Sequence, residues 1–597
     1  MLSRDSILVK IFFIIFFLCV TITLISTPSA TFYESSIYSA YPSYFWGLLV
    51  LAIAVCTFIT IQNAFSKNEK YHWSSGIFYI FMINEIILLL PLLRGYTFYG
   101  RTDSITHLGY INDIISAGHF YSNFYPLSHI LIAMLSLITS GPMIQIFMAS
   151  VAFYYLMYVL GIYLLCREIS YNLGQSLLLV ILSVLLPVGV YDPQVMPIQI
   201  MIFLMPIVSY LIFKRISDRL LAQFRLIFII MVLSLIFYHP FSATQFIAIL
   251  LIYACSKIVY SKILNGKIDL ATSKDSIQLV AKPILIILIS FLIWAVSFWL
   301  FRQKIFVLFN WLMGEGRDFY LSHYQNGLHK ANLSLFQIFD LIFKTYGFFI
   351  IYTIIFILSL LIIFANILYK RRYPNERVIF FLFVSIILGS FSIFSIFAGF
   401  DIFADPFRSM SLVYIFVALT NGLILFDFIS ERSSLVKNIL LFILTIFLVT
   451  SSSIGTFNTH PSPIIKMLAD DVSLSEFSGG IWIAKNSDPK MTILPVASQF
   501  DERMRDYVMG MEESEKAGKF ASPPPHFGYD SSNFIGNAFN HDVYTAITSY
   551  DRMYYSYLWP YQGSFNMKDL EKLYTDRTAN LIYVNKGFDS FYISGRY

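Results

Sequence analysis

Charge is what this 597-residue chain has least of: 13% of its residues are Asp, Glu, Lys or Arg, about half the share of roughly 25% usual for soluble domains. That shortage excludes an ordinary soluble enzyme. There is no basic run or basic face outside the loops between apolar segments, so nucleic acid binding has no support. Cysteine is scarce as well. Cys19, Cys56, Cys166 and Cys255 all lie in apolar segments and none has C-x-x-C spacing, which excludes a disulfide framework and a thiolate zinc site. No P-loop, G-x-G-x-x-G, H-E-x-x-H or suitably placed G-x-S-x-G is present, so ATP-driven or cytosolic nucleotide-sugar chemistry is disfavoured. No repeat of fixed period is evident.

What is there is apolar length. Apolar residues make up 57% of the chain and the mean hydropathy is +0.68. Runs long enough to span a bilayer at 1.5 Å per residue predict thirteen crossings, at 7–27, 43–62, 77–93, 143–166, 176–190, 197–213, 224–241, 242–260, 283–301, 344–368, 378–398, 409–428 and 437–455. The first reads as an uncleaved anchor. A shorter run, 127–139, is broken by Gly141-Pro142 and reads as a helix dipping in from one face. The net charge of +5 says little; the side on which Lys and Arg sit says more. With the N-terminus in the cytoplasm, Lys67, Lys70, Lys214, Arg215, Lys370, Arg371, Arg372 and Arg432 fall inside. The outer loops keep few cations, among them Arg94, Arg101, Arg302 and Arg408. The expected architecture is mainly α: a polytopic helical bundle over 1–456, with outer loops at 94–126 and 302–336. A small extracytoplasmic α/β domain over 457–597 follows, with helices at 474–485 and 567–574 and strands at 492–497 and 581–585.

One polar stretch, from Gly100 to Pro126, breaks the apolar pattern. Read as a helix, it puts Asp103, His107 and Tyr110 at i, i+4 and i+7 on one face, with Ile105, Leu108, Ile111 and Ile115 opposite. The pattern predicts an amphipathic helix on the outer membrane surface, its polar face turned to a cavity. The bland alternative is a solvated helix with a helix-spaced Asp–His pair; the poverty of charge in the other outer loops weighs against it. Arg101, Asp113 and His119 belong to the same stretch. Other outer-face groups are Asp192, His239 at the end of a crossing, and Glu315, Arg317, Asp318, His323 and His329 in the second loop. Asp401, Asp405 and Arg408 form a last cluster. Arg408 at a helix start suits a bidentate phosphate contact, with pairing to Asp405 as the structural alternative. Glu85 lies inside a crossing, where carboxylates are functional candidates by default.

The anchor, then Asp103-Ser104-Ile105-Thr106-His107 leading to Gly118-His119 and Phe124-Tyr125-Pro126-Leu127, resembles the first outer loop of the GT-C membrane glycosyltransferases. Ser128-His129 through Ser140-Gly141-Pro142, a crossing ending in Cys166-Arg167-Glu168, His239-Pro240 and Ala404-Asp405-Pro406-Phe407-Arg408 are similar to that pattern. The likeness extends over most of 1–455. It departs from better-known branches, because Asp103 is not followed by Glu and the tail has no Trp-Trp-Asp, which leaves the acceptor (glycan, lipid or protein) open. The resemblance implies an inverting transferase that takes a hexose or pentose from a polyprenyl-phosphate donor outside the membrane. It makes Asp103 the general base and His107 its orienting neighbour. Arg408, or Arg101 or Arg302, would supply the cation for the leaving phosphate. Tyr110, Asp113, His119, His239, Glu315 and Asp318 would bind substrate. It also allows a divalent ion, Mg or Mn, held by Asp103 and His107 with Glu315 or Asp318. The rival reading is a transporter or flippase for lipid-linked glycans with Glu85 as its coupling residue. That reading lacks the matched half-repeats usual in transporters.

Overall fold

The structure is a computed structural model. It describes residues 4–66, 73–119, 123, 125–186, 193–194, 196–214, 221–265, 270–298, 306, 309–310, 313, 333–398, 406–517, 523–559 and 564–595.

Every predicted crossing contains a helix. Among the described residues, nine helices are long and apolar enough to cross a bilayer: Ile7–Ser26, Ser43–Ala64, Gly76–Leu93, Met143–Ile169, Ser242–Ile263, Leu335–Lys370, Glu376–Phe394, Met410–Ser430 and Ser434–Thr456. The chain is a multi-pass membrane protein. Shorter apolar helices fill the remaining places: Pro126–Thr139, Leu173–Val184, Pro197–Phe213, Ala222–Tyr238 and Ala281–Ser297.

One expected crossing needs correction. Leu173–Val184 has 12 residues, about 18 Å of helix, against a hydrocarbon layer of about 30 Å. Every residue from Gln175 to Val184 is buried. Its continuous apolar run is that of a helix enclosed by neighbours, which hydropathy alone does not separate from a span.

After the bundle the chain builds a four-stranded sheet from β3 (Ile493–Leu494), β4 (Val543–Thr548), β5 (Ala579–Val584) and β6 (Phe588–Ile593). The spatial order is β3-β4-β6-β5, with β3 and β4 parallel and the other pairs antiparallel. The helix Leu474–Asn486 starts at a capping box, in which Ser473 and Glu476 satisfy each other's backbone N–H groups. It packs so closely on β6 that a Cβ on Gly479 would collide with the Phe588 ring. One face of this tail has its own core of Leu494, Phe527, Val543, Ile547, Leu570 and Phe591. The other face, with Phe477, Ile483, Phe500, Met504 and Phe588, is continuous with the core of the bundle. The expected helices and two strands are present; β4 and β6 were not anticipated.

A second, two-stranded ladder fixes the polar stretch. β1 (Phe98–Tyr99) pairs antiparallel with β2 (Asp471–Val472), Phe98 opposite Val472 and Tyr99 opposite Asp471. Gly100 then donates its N–H to the Asp470 carbonyl (2.8 Å) at φ +117. That backbone state suits glycine, and the chain swings from it into the helix Asp103–Ala117.

Candidate functional site

The helix Asp103–Ala117 is the frame of the site. Asp103 occupies its first turn, where a carboxylate is favoured by the positive end of the helix dipole. Gly118 closes it in the left-handed conformation (φ +71), its N–H returning to the Ile114 carbonyl. The expected membrane-surface helix is not what forms. Ile105, Leu108 and Ile111 are fully buried, and His107, Gly109 and Tyr110 are buried as well. The helix is covered on one side by the bundle and on the other by the tail, because the tail supplies a second packing surface that spacing along one segment does not reveal.

The tail side is a backbone-close contact. A second helix, Phe500–Met509, lies along Asp103–Ala117, and a Cβ on Gly109 would collide with the Asp506 carbonyl oxygen. Thr106 Oγ1 donates to Asp506 Oδ2 (2.7 Å), Asn112 Nδ2 to the Tyr507 carbonyl (3.1 Å), and Met511 N–H to Asp113 Oδ2 (2.9 Å). Burial raises the Asp113 pKa. Asp113, expected among the substrate contacts, is therefore engaged in docking the tail.

The bundle side is a wall of rings. His107 Nδ1 lies 3.0 Å from His129 Nε2, and His129 Nδ1 meets Asn123 at 2.8–3.0 Å. Tyr110 stacks on His129, with centroids 5.2 Å apart and planes 20° apart. Tyr125 stacks on His239 (5.6 Å, 21°) and meets His107 edge-on (6.1 Å). His239 Nδ1 is 3.0 Å from Ser242 Oγ. His129 sits on Pro126–Thr139, a helix of 14 residues, about 21 Å and too short to span. Burial, and then the neighbouring His107 ring, hold its pKa well below the ordinary imidazole range. A neutral His129 thus pins the His107 ring by one nitrogen.

Asp103 stands at the open edge of this wall, its side chain 52% exposed. Its charged neighbour among the described residues is Arg503 from the helix Phe500–Met509, with Nη2 at 3.6 Å from Oδ1.

Arg101, two residues earlier, has a different fate. Its Nε and Nη2 donate to the Asp471 carbonyl (3.0 and 2.7 Å), and Nη2 pairs with Glu476 Oε2 (2.7 Å). The guanidinium also lies 4.9 Å from the Tyr33 ring centroid and 4.6 Å from that of Tyr550. Its side chain is 1% exposed. Named above for substrate, Arg101 instead closes the joint between the loop and the tail through Nε and Nη2, with Nη1 buried and unpaired among the described residues. Asp470 and Asp471 lie in the same joint. Burial pushes Asp470 up to about 6 against the opposing pull of Arg101, and raises Asp471 well above the carboxylate range.

His119 is also displaced from the site. It is exposed beyond the far end of the helix, its Nδ1 3.2 Å from the Ala117 carbonyl, roughly 24 Å along the axis from Asp103 at 1.5 Å per residue. Glu85 is buried in the bundle with Oε2 unpaired among the described residues. Asp192, Arg302, Glu315, Arg317, Asp318, His323, His329, Asp401 and Asp405 lie outside the described residues, as does the side chain of Arg408. Among the described residues no group of three or more His, Cys, Asp and Glu is arranged for a metal ion. Glu315 and Asp318, the carboxylates expected to share that ion with Asp103, are among the residues outside the described ones.

Of the expected residues, the structure brings together Asp103, His107, Tyr110 and His239. It adds Tyr125, His129, Asn123 and Arg503. His129 follows Pro126 by three residues, one helical turn, and that spacing was a usable signal. Nothing local in Gln499-Phe500-Asp501-Glu502-Arg503 marks Arg503.

No protein-family model matches the chain, and no curated protein matches it. It is similar in structure to ArnT from Cupriavidus metallidurans in the apo state, with a TM-score of 0.47 and 10% identity over 87% of this chain and 98% of that one. A second structure of that protein, bound to undecaprenyl phosphate, gives a TM-score of 0.43 and 10% identity over 88% and 98%. A likeness this loose leaves the chemistry to be argued from the residues.

Proposed function

We propose that the chain is a membrane glycosyltransferase that moves a sugar from a polyprenyl-phosphate donor to an acceptor hydroxyl with inversion. On this reading the reaction takes place at the extracytoplasmic face, as the distribution of Lys and Arg suggests. The observation that carries it is the setting of Asp103. A half-exposed carboxylate stands at the start of a buried helix, at the edge of a wall of imidazole and phenol rings. Such a group suits general-base work: it accepts the acceptor's proton as the new C–O bond forms. The bond from the anomeric carbon to the phosphate oxygen breaks, and its electron pair leaves with the polyprenyl phosphate. A phosphate leaving group needs positive charge more than a proton, and Arg408 is the cation assigned to it. His107, fixed by His129, holds one edge of the sugar, while Tyr110, Tyr125 and His239 offer the flat apolar faces and polar rims that sugar rings pack against.

The test gives purified full-length protein a panel of undecaprenyl-phosphate-linked hexoses and pentoses together with hydroxyl-bearing lipid, glycan and peptide acceptors, following release of the free carrier with and without EDTA. Wild type should release carrier, and Asp103→Asn should lose about 10²–10⁴-fold in rate at an unchanged thermal midpoint. Wild-type turnover in Asp103→Asn would remove the base assignment. The EDTA arm tests the divalent ion that the family resemblance implies.

A further inference from the structure

We infer that Arg503, carried by the tail, is a positioning residue for Asp103, so that the tail completes the site; this rests on the transfer reading above. Three observations support it.

The register of the tail helix on Asp103–Ala117 is fixed along its length, by Thr106–Asp506 near its start, Gly109 against the Asp506 carbonyl in the middle, and Asp113–Met511 further on. A slide of one residue would break all three contacts. That register alone brings residue 503 opposite residue 103.

The guanidinium is held at both terminal nitrogens. Nη1 donates to Thr106 Oγ1 (3.0 Å) and Nη2 to Gln499 Oε1 (3.2 Å), with Asp506 Oδ2 3.8 Å from Nη1. Thr106 Oγ1 accepts from Arg503 while donating to Asp506, so the planar fork has a set orientation.

Arg503 is close to Asp103 without capping it. At 3.6 Å the contact is a charge pair longer than a hydrogen bond, whereas a bidentate fork would occupy both carboxylate oxygens. Asp103 is oriented and keeps its lone pairs for an incoming proton. In an inverting displacement the base and the leaving group stand on opposite faces of the sugar. A cation beside the base is therefore on the acceptor side, and its work is different from that assigned to Arg408.

The experiment compares Arg503→Met, Arg503→Lys and Thr106→Val with wild type in the full-length protein, using the same undecaprenyl-phosphate donors. A carboxylate released from its aim should lower kcat by about 100-fold, with KM for the donor unchanged. Lys should restore part of the loss, and Thr106→Val, which removes one pin while keeping both charges, should give a smaller loss in kcat of the same kind. Thermal midpoint and protease sensitivity of the tail should stay at wild-type values in the two Arg503 variants, while Thr106→Val, which also takes a donor from buried Asp506, should lower the midpoint slightly. Full kcat in Arg503→Met overturns the inference. So does a loss that Lys does not relieve and that comes with release of the tail, the signature of a merely structural contact. A wild-type protein that leaves every donor intact overturns the transfer reading itself, which is a separate result.

Discussion

Arg101 and Arg503 bracket Asp103 from two parts of the chain, and their surroundings differ in almost every respect. Arg101 is enclosed, paired with Glu476 and set among the Tyr33 and Tyr550 rings. Arg503 is 19% exposed, hydrogen-bonded to the neutral oxygens of Thr106 and Gln499 beside buried Asp506, and faces Asp103 across a gap. The first joins two parts of the fold and leaves no donor free for a ligand at Nε or Nη2. The second leaves its partner open. Proximity in sequence to a candidate base is thus a poor guide to which cation serves it; what decides is whether the cation's own bonding is spent on the fold.

The comparison can be broken at several points. Arg101→Met should have the largest effect on stability. It leaves Glu476 buried without its cation, a change that costs about 3–5 kcal/mol, and thermal unfolding with protease release of the tail would register it. Arg503→Met should leave both readings at wild-type values. An Arg101→Met protein with an unchanged midpoint would erase the distinction.

A pH scan sharpens the same contrast. Asp470 in the joint has its pKa raised from 3.8 to about 6, so the folded state holds its proton more tightly than the unfolded chain does. Its contribution is fully present below pH 3.8, is lost as pH rises towards about 6, and stays lost above. The size is on the order of 3 kcal/mol. Buried His460, lowered from 6.5 to about 4 by burial, acts in the opposite sense over much of the same range. The clean measurement is therefore the difference between wild type and Asp470→Asn. That difference should change between pH 4 and pH 7, and a constant offset would refute the assignment.

Gly109→Ala should have a smaller effect on stability than Arg101→Met, about 1–3 kcal/mol, because the added methyl meets the Asp506 carbonyl and backbone has little room to yield. It should lower kcat as well, since it displaces Arg503 from Asp103. Unchanged turnover together with a lowered midpoint would show that the register of the two helices is not what aims the base.

Much of the bundle was legible because apolar length is a local property. The helix Pro197–Phe213 begins and ends where its run does, and Met143–Ile169 overshoots its expected end by three residues. Leu173–Val184 was misread because burial inside protein and burial in lipid leave the same apolar signature. In the tail, β4 reads Val543-Tyr544-Thr545-Ala546-Ile547-Thr548 and is buried on both faces, so no alternation marked it. Asp103, His107 and Tyr110 were legible from helical spacing within eight residues. Arg503 was not, nor was the structural fate of Arg101, since both depend on partners that lie hundreds of positions away.

That separation bears on how the protein is made. Thr106 and Arg503 are 397 positions apart, and at synthesis rates of about 5–20 residues per second the second follows the first by roughly 20–80 s. Throughout that interval the nascent chain carries Asp103 without its partner while the crossings between them enter the membrane. The contact between Arg503 and Asp103 cannot form until residue 503 has been made, so a chain that stalls in translation before it should carry Asp103 unaimed.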